Sequence, residues 1–240
     1  MSVLAITHEG QRETEKFARV TNMGYAYAYE KAGKLMRELG AKGFPTAVLV
    51  DPAGVVRWKG HPARLTNELV ESVLDGAFEE PIWTWPKQGK KARKALAKFA
   101  WGDAFEELTE LEEDWADAAA TKMRVMASAW LESGFTALEK GDYLAVSRTL
   151  DLGKKRLKGF DDLELRMERL DDMLDAQDNV KKVISLQEKL EDLRSTELRS
   201  KNQAEKLLEQ VEAFLKKAEG TYAAEEAQAF AEDLRKMLGR

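Results

Sequence analysis

The sequence predicts an α/β segment over the first third of the chain and a purely helical region after it. Strand-like apolar runs and helix-like repeats alternate up to residue 80, whereas from Lys90 onward apolar residues recur at helical spacing. A stretch rich in proline and tryptophan, 81–89, separates the two patterns, and helices do not run through such a segment. We therefore expect an α/β domain over 1–80, a linker over 81–89 and an α-helical repeat domain over 90–240.

The α/β segment begins with a short, uninterrupted apolar run. Residues 3–6 suit a strand that is buried on both faces. The polar stretch 11–20 predicts a short amphipathic helix, and the period of two over 25–29 indicates an extended segment. A second helix is predicted over 30–39 because a glycine follows its last apolar residue.

The next stretch is the most informative part of the sequence. Two apolar runs flank Asp51-Pro52-Ala53-Gly54, in which proline pre-sets the backbone for a turn and Gly54 can adopt a positive φ. This pattern predicts a β-hairpin. A helix over 65–77 is expected to follow it, with Thr66 or Asn67 as its N-cap.

This order of elements resembles the second half of a thioredoxin-like domain, and more narrowly the TlpA-like and peroxiredoxin-related redoxins. In those proteins a strand that begins Gly-x-Pro-Thr is followed by a hairpin with Asp-Pro and glycine in its turn. The matching residues here are Gly43, Phe44, Pro45, Thr46, Val50, Asp51, Pro52 and Gly54, extended by Trp58, Gly60, His61 and Pro62. The resemblance covers about residues 2–78, a third of the chain.

The resemblance implies a cis peptide bond between Phe44 and Pro45, a geometry that is kept where a tight turn needs it. In the family the backbone of this loop pairs with an extended substrate peptide beside the cysteine motif. Gly43, Phe44 and Pro45 are therefore candidate peptide-contact residues. The alternative is a purely structural cis-proline that starts the strand.

The departure from the family is the absence of cysteine from all 240 residues, which excludes thiol–disulfide chemistry in this chain. The family's central strand and its Cys-x-x-Cys motif would precede Val3. In the thioredoxin-like sheet that strand lies between those matching 3–6 and 47–50. Each backbone group left unpaired in a dry interior costs about 1–3 kcal/mol. Three solutions remain open: the two flanking strands pair directly, another chain supplies the strand in an oligomer, or the natural protein begins upstream of Met1.

The helical region contains a repeat of about 40 residues, which is typical of helical-pair solenoids. The turns are predicted at Gly102-Asp103, Gly141-Asp142, Asp178-Asn179 and Gly220-Thr221. They define four helical hairpins over 90–113, 115–158, 161–198 and 201–238. The predicted fold class is thus a partial thioredoxin-like sheet without its central strand, followed by a TPR-like stack of helical hairpins.

Composition and charge exclude several classes of function. The net charge is −1 over 1–80, +6 over 81–100 and −10 over the remaining 140 residues, and this acidic bulk repels a nucleic-acid backbone. No apolar run reaches the length of a membrane span. The two histidines, His8 and His61, and the lack of cysteine predict no metal site, and no cofactor motif is present.

Two functional interpretations remain open from the sequence. The chain is either a cysteine-free or N-terminally truncated relative of thiol–disulfide oxidoreductases of the redoxin class, or a non-catalytic protein- or peptide-binding module on a helical-repeat scaffold. A purely structural helical scaffold is a third interpretation. Redoxin relatives are usually exported, but no export signal is recognised here, so the sequence assigns no compartment.

Overall fold

The computed structural model is mostly helical, with two small sheets near the N-terminus. This confirms the predicted combination of a small α/β part and an all-α part. The structure describes residues 3–7, 9–21, 24–30, 35–36, 39–41, 43–196, 198 and 200–239.

The elements follow one another in the predicted order. The described strands are β1 (Leu4–Thr7), β2 (Ala26–Tyr29), β3 (Ala47–Val50) and β4 (Val56–Gly60). The described helices are α1 (Gln11–Thr21), α2 (Asn67–Glu71), α3 (Lys90–Leu96), α4 (Trp101–Thr109), α5 (Asp114–Lys140), α6 (Tyr143–Arg156), α7 (Asp161–Asp175), α8 (Val180–Arg194), α9 (Lys201–Lys217) and α10 (Tyr222–Leu238). Short 3₁₀ turns occupy Pro62–Arg64, Ile82–Thr84 and Lys87–Gly89.

The first sheet consists of β1 and β2, which run parallel with Leu4 opposite Ala26 and Thr7 opposite Tyr29. Helix α1 connects the two strands and contacts β2. None of the residues in β1 or β2 is buried. This exposure differs from the prediction of a strand buried on both faces, because no second layer covers the sheet on the side away from α1 in the described part of the chain.

The second sheet is the predicted hairpin of β3 and β4. Asp51 holds its turn: one carboxylate oxygen accepts a hydrogen bond from the Val55 backbone N–H at 2.9 Å, and the other forms an ion pair with Arg57 at 2.6 Å. Gly54 adopts a φ of 85°, as predicted. Among the described strands β1 and β3 do not pair, so the sheets stay separate and the direct pairing considered from the sequence is not formed.

The helix predicted over 65–77 is shorter than expected. Thr66 is its N-cap and accepts a hydrogen bond from the Leu69 N–H, but α2 ends at Glu71. The chain then turns at Gly76, where φ is 78° and an added Cβ would lie only 3.0 Å from the Met126 backbone nitrogen of α5. Close approach to α5 therefore competes with helix propagation and ends the helix early.

The helix predicted over 30–39 falls mostly outside the described residues. Leu35 and Met36 are helical, and the Leu39 N–H donates to the Leu35 carbonyl. Gly40 has the positive φ expected of a residue that ends a helix.

The segment predicted as a linker, 81–89, packs against the helices. Trp85 is buried and makes an edge-to-face contact with Phe78 at 5.0 Å between ring centroids. Its ring also lies 5.8 Å from that of Trp115 in α5. Trp83, by contrast, is exposed. Trp85 thus anchors the segment to the helices, and Trp83 does not.

Three of the four predicted helix pairs pack against each other: α3 with α4, α5 with α6, and α9 with α10. The predicted pairing of α7 with α8 is wrong, since α8 packs against α6, α9 and α10, whereas α7 packs against α5 and α6. The turns at Gly141, Asn179 and Gly220 are confirmed, and each of these residues has a positive φ. The turn predicted at Gly102-Asp103 is wrong, since both residues lie inside α4.

Gly102 has a different role from the predicted one. The first turn of the helical region instead precedes Trp101, and Phe99 adopts the positive φ there. Gly102 is required because an added Cβ would lie 1.5 Å from the carbonyl oxygen of Lys158. Helix α4 therefore approaches the backbone of the α6–α7 connection at a distance that only glycine permits.

The apolar side chains form two cores. The first is built from α3 to α7 and the connection between α6 and α7, and it includes two residues that precede the helical region, Ala53 of the hairpin turn and Trp85. The second is built from α8, α9 and α10. Among the described residues, no helix is long and apolar enough to cross a membrane.

We predict that Gly102→Ala lowers the free energy of unfolding by about 1–3 kcal/mol, because α4 must move away from the α6–α7 connection to accommodate a methyl group. Urea unfolding followed by circular dichroism measures this loss. The matched control is Glu106→Ala, at an exposed position of the same helix, with a change within about 0.5 kcal/mol. Equal stability of the two variants would contradict the close approach.

Candidate functional site

The cis-proline loop predicted from the family resemblance lies at the surface. The Phe44–Pro45 bond is cis, as the resemblance implies. Gly43, Phe44 and Pro45 are all exposed, and the Thr46 hydroxyl donates a hydrogen bond to the Gly43 carbonyl just before β3 begins. The loop is therefore accessible to a partner at the start of the second sheet.

One edge of β1 carries backbone groups without a strand partner in the described part of the chain. The Glu30 N–H donates to the Thr7 carbonyl at 2.7 Å, so the backbone groups of Thr7 face β2. Because successive residues of a strand direct their N–H and C=O groups to alternate edges, those of Leu4 and Ile6 face away from β2. No described strand lies on that side.

Strand β3 likewise has one edge that faces away from its partner strand. The Asp51 N–H donates to the Val55 carbonyl at 3.0 Å, so the backbone groups of Asp51 face β4. The register shifts between Leu49 and Val50, where Arg57 of β4 has no partner residue. Because the extra residue lies on β4, the alternation along β3 continues and the backbone groups of Leu49 also face β4. The backbone groups of Val48 and Val50 consequently face the opposite edge, where the described residues place no strand. The cis-proline loop leads directly into this open edge.

The α/β part also leaves much apolar surface exposed. The large apolar side chains that are exposed in the first 60 residues are Val3, Leu4, Phe17, Val20, Tyr25, Tyr27, Tyr29, Phe44, Val50 and Val56. A hollow of about 290 Å³ remains between α1 and the β1–β2 sheet, lined by residues that include Ile6, Phe17 and Tyr27. Helix α1 therefore does not complete a core with the strands.

The other sequence candidates have structural or solvent-exposed positions. The ring nitrogen Nδ1 of His61 accepts a hydrogen bond from the Ala63 N–H and so caps a 3₁₀ turn. His8 lies outside the described residues. No cluster of three or more potential metal ligands occurs in the described ranges. The adjacent acidic pairs at 79–80, 112–113 and 171–172 are exposed and lie on solvated surfaces.

The aromatic residues of the first two helical hairpins divide into two groups. Trp101 and Trp130 are buried and make an edge-to-face contact, so both belong to the core. Phe99 is exposed and packs against the guanidinium group of Arg156. Nothing in the local sequence marks Arg156, because its aromatic neighbours come from distant parts of the chain.

A polar cluster joins the two helical cores. Buried Gln187 in α8 accepts a hydrogen bond from the Leu144 N–H at 2.9 Å and donates to the Gly141 carbonyl at 3.0 Å. The carboxylate of Asp142 accepts from Gln187 and from the Ala145 N–H. These hydrogen bonds connect the α5–α6 turn to α8, so the cluster has a structural role.

The environment of Asp142 perturbs its ionisation. Desolvation by burial raises the pKa of Asp142 above 3.8, and the negative charges of Glu226 and Glu191 act in the same direction. Burial, with Glu226 and Asp142 nearby, also raises the pKa of the Tyr222 hydroxyl to about 12. The tyrosine therefore stays protonated near neutral pH, whereas the carboxylate of Asp142 carries an unfavourable charge there.

We predict that Asp142→Asn leaves the protein equally or more stable at pH 7 but gives no advantage below pH 3.8. Because the folded-state pKa of Asp142 is raised, this group stabilises the fold fully below the unfolded pKa and loses that contribution as pH rises through the folded pKa. Asparagine keeps both accepted hydrogen bonds without the charge. Urea midpoints at pH 7 and pH 3 measure the difference.

The matched control is Asp178→Asn, an exposed aspartate at the next helical turn, which should change stability little at either pH. A lower stability of Asp142→Asn at pH 7 than at pH 3, each relative to wild type, would contradict the raised pKa.

Neither a family model, nor a curated protein, nor a solved structure matches the chain. The open strand edges, the cis-proline loop and the aromatic surroundings of Arg156 are therefore the features that bear on function.

Proposed function

We propose that the chain is a non-catalytic protein-binding relative of the thioredoxin-like redoxins, which accepts an extended segment of another polypeptide between β1 and β3. The observation behind this proposal is the division of the described strands into two separate pairs, which leaves the outer edges of β1 and β3 unpaired, as it does those of β2 and β4. The resemblance selects β1 and β3, because the family's missing central strand would lie between them. Strand addition to such an edge is a recurring mode of peptide recognition.

The two sheets are too small to be stable without further contacts. A two-stranded sheet is at best marginally stable alone, and parallel strands are normally covered on both faces. The β1–β2 sheet is parallel and has no buried residue. A third strand would pair with the backbone groups of Leu4 and Ile6 and would cover part of the exposed apolar surface.

The pairing pattern supports the relation to the redoxins. A thioredoxin-like sheet without its central strand would keep one pair on each side of the vacancy, with the strand after the cis-proline on its inner edge. Here β1 pairs with β2, β3 pairs with β4, and Phe44–Pro45 precedes β3. The relation itself is part of the proposal.

The chemistry of the edges indicates the kind of partner. Strands β1 and β3 contain no charged residue: their sequences are Leu-Ala-Ile-Thr and Ala-Val-Leu-Val. An uncharged strand with alternating apolar side chains is the segment that such edges accept at least cost in desolvation. Gly43 and Phe44 lie where they would contact the end of that segment. With no cysteine in the chain, the interaction is binding without disulfide exchange.

We predict that the edge amides respond to an added strand. In the free chain the Ile6 and Val48 amides should exchange with solvent at least about tenfold faster than those of Thr7 and Leu49, which face their partner strands. A synthetic peptide that alternates valine and threonine over about seven residues should slow the Ile6 and Val48 amides in a saturable manner. Hydrogen exchange followed by NMR measures both effects.

The control peptide has every threonine replaced by proline, which removes the N–H donors of those residues and prevents a regular strand ladder while keeping the valines. It should leave the edge amides unprotected. Protection of Ile6 and Val48 in the free chain, or no protection at saturating concentrations of the alternating peptide, would refute the proposal. Protection that increases with protein concentration alone would identify a second copy of the chain as the source of the strand.

A further inference from the structure

A cavity of about 320 Å³ lies where the β3–β4 turn meets the helices, and it is separate from the strand edges. The turn residues 52–55 form one wall, and the helical side contributes Phe99, Trp101, Trp130 and Arg156. Among the described residues, Arg156 is the only ionisable one that lines the cavity; the others are apolar or glycine. The cavity is thus a half-open, largely apolar hollow with one positive charge.

Arg156 is the last residue of α6, and three aromatic rings hold its guanidinium group. The guanidinium carbon lies 4.7 Å from the ring centroid of Trp130, 4.8 Å from that of Trp101 and 5.3 Å from that of Phe99. Such contacts attract a cation to the faces of aromatic rings. They fix the position of the guanidinium group without accepting conventional hydrogen bonds from its N–H donors.

Arg156 has no anionic partner in the part of the chain that the structure describes. Its Nε atom is buried and has no hydrogen-bond acceptor. Other arginines of the helical region have anionic partners. Arg148 forms a bidentate ion pair with Glu191, and Arg166 forms an ion pair with Glu132. Burial also lowers the pKa of Arg156, a sign that its charge is poorly solvated.

A partly buried cation without a counter-ion is less well solvated than an exposed one, and an anion that joins it offsets this cost. Arginine remains charged at physiological pH, so the side chain cannot avoid the cost of burying its charge by losing a proton. Its planar fork matches the two oxygens of a carboxylate. A site with one cation and apolar lining residues matches a singly charged group attached to an apolar molecule. It matches a phosphate less well, because a phosphate carries more charge.

We propose that this cavity binds a carboxylate attached to a small apolar group, with Arg156 holding the carboxylate and the aromatic and turn residues enclosing the apolar part. The volume is at the lower end of the range for small-molecule sites, so the enclosed group is small. The carboxylate belongs either to a free organic acid or to the C-terminus of a partner peptide that ends in an apolar residue.

The test uses the full chain and two probes that differ in charge alone, 3-phenylpropionate and its neutral analogue 3-phenylpropionamide. Isothermal titration calorimetry should show saturable binding of the acid and at least about tenfold weaker binding of the amide. Tryptophan fluorescence should change with the same midpoint, because Trp101 and Trp130 touch Arg156.

Variants locate the charge that is responsible. Arg156→Met should abolish acid binding while the melting temperature stays equal or rises, because an unpaired and partly buried charge is removed. Arg156→Lys keeps the charge but loses the fork, and it should weaken binding at least about tenfold. The control is Lys155→Met, which removes the neighbouring exposed cation and should leave binding unchanged.

The two sources of the carboxylate are separated by a short peptide that ends in Leu-Phe. Tighter binding of the free-acid peptide than of 3-phenylpropionate, with loss of binding on C-terminal amidation, identifies a peptide C-terminus. Equal or weaker binding of the peptide identifies a free acid.

The proposal is overturned if wild-type protein binds the acid and the amide equally, or binds neither at millimolar concentration. A large loss of stability in Arg156→Met, together with either result, would assign Arg156 a role in packing alone. Because the wild-type comparison needs no variant, the test holds even if Arg156→Met does not fold. The cavity lies apart from the open edges of β1 and β3, so failure here leaves the strand-addition proposal unaffected.

Discussion

The contact between the β3–β4 turn and the helical core is the interaction on which the organisation of the chain depends. Two strands do not make a stable sheet by themselves, so the hairpin needs another surface. Ala53 at its tip and Trp85 just after the α/β part both lie in the first helical core. Asp51 stiffens the turn that presents Ala53. The second sheet is therefore supported by the helices, and the intervening segment is part of the packing.

The first sheet has no comparable support. Its strands contribute no buried residue, and α1 buries only Thr14 and Ala18 among the residues described. While they are exposed, the backbone groups on the open edges of β1 and β3 can form hydrogen bonds with water. The apolar side chains around them, however, remain in contact with water and contribute no hydrophobic stabilisation. The α/β part therefore combines one anchored pair of strands with one pair that is left without cover, which is the arrangement expected of a surface completed by a partner.

The same turn that anchors the hairpin also closes the cavity around Arg156. Residues 52–55 form a wall of that cavity, and Ala53 is simultaneously a core residue. A ligand held by Arg156 would touch both the hairpin and the helices, so binding would strengthen the contact that supports the second sheet. The two proposed sites thus involve neighbouring parts of the second sheet. Strand addition would take place at the outer edge of β3, and carboxylate binding would involve the turn that follows β3.

The sequence alone determined the local elements whose signals are local. The Asp-Pro-Ala-Gly turn, the positive φ of Gly54 and three of the four helical turns follow from the conformational preferences of a few adjacent residues, and the family resemblance carried the cis Phe44–Pro45 bond. The open edges followed from the strand order that the resemblance implied, although the separation of the sheets did not. Tertiary structure alone decided the role of Gly102, the early end of α2 and the surroundings of Arg156. Each of these depends on a backbone or ring from a distant part of the chain, and the distances between such groups are set by packing, which no local pattern of residues encodes.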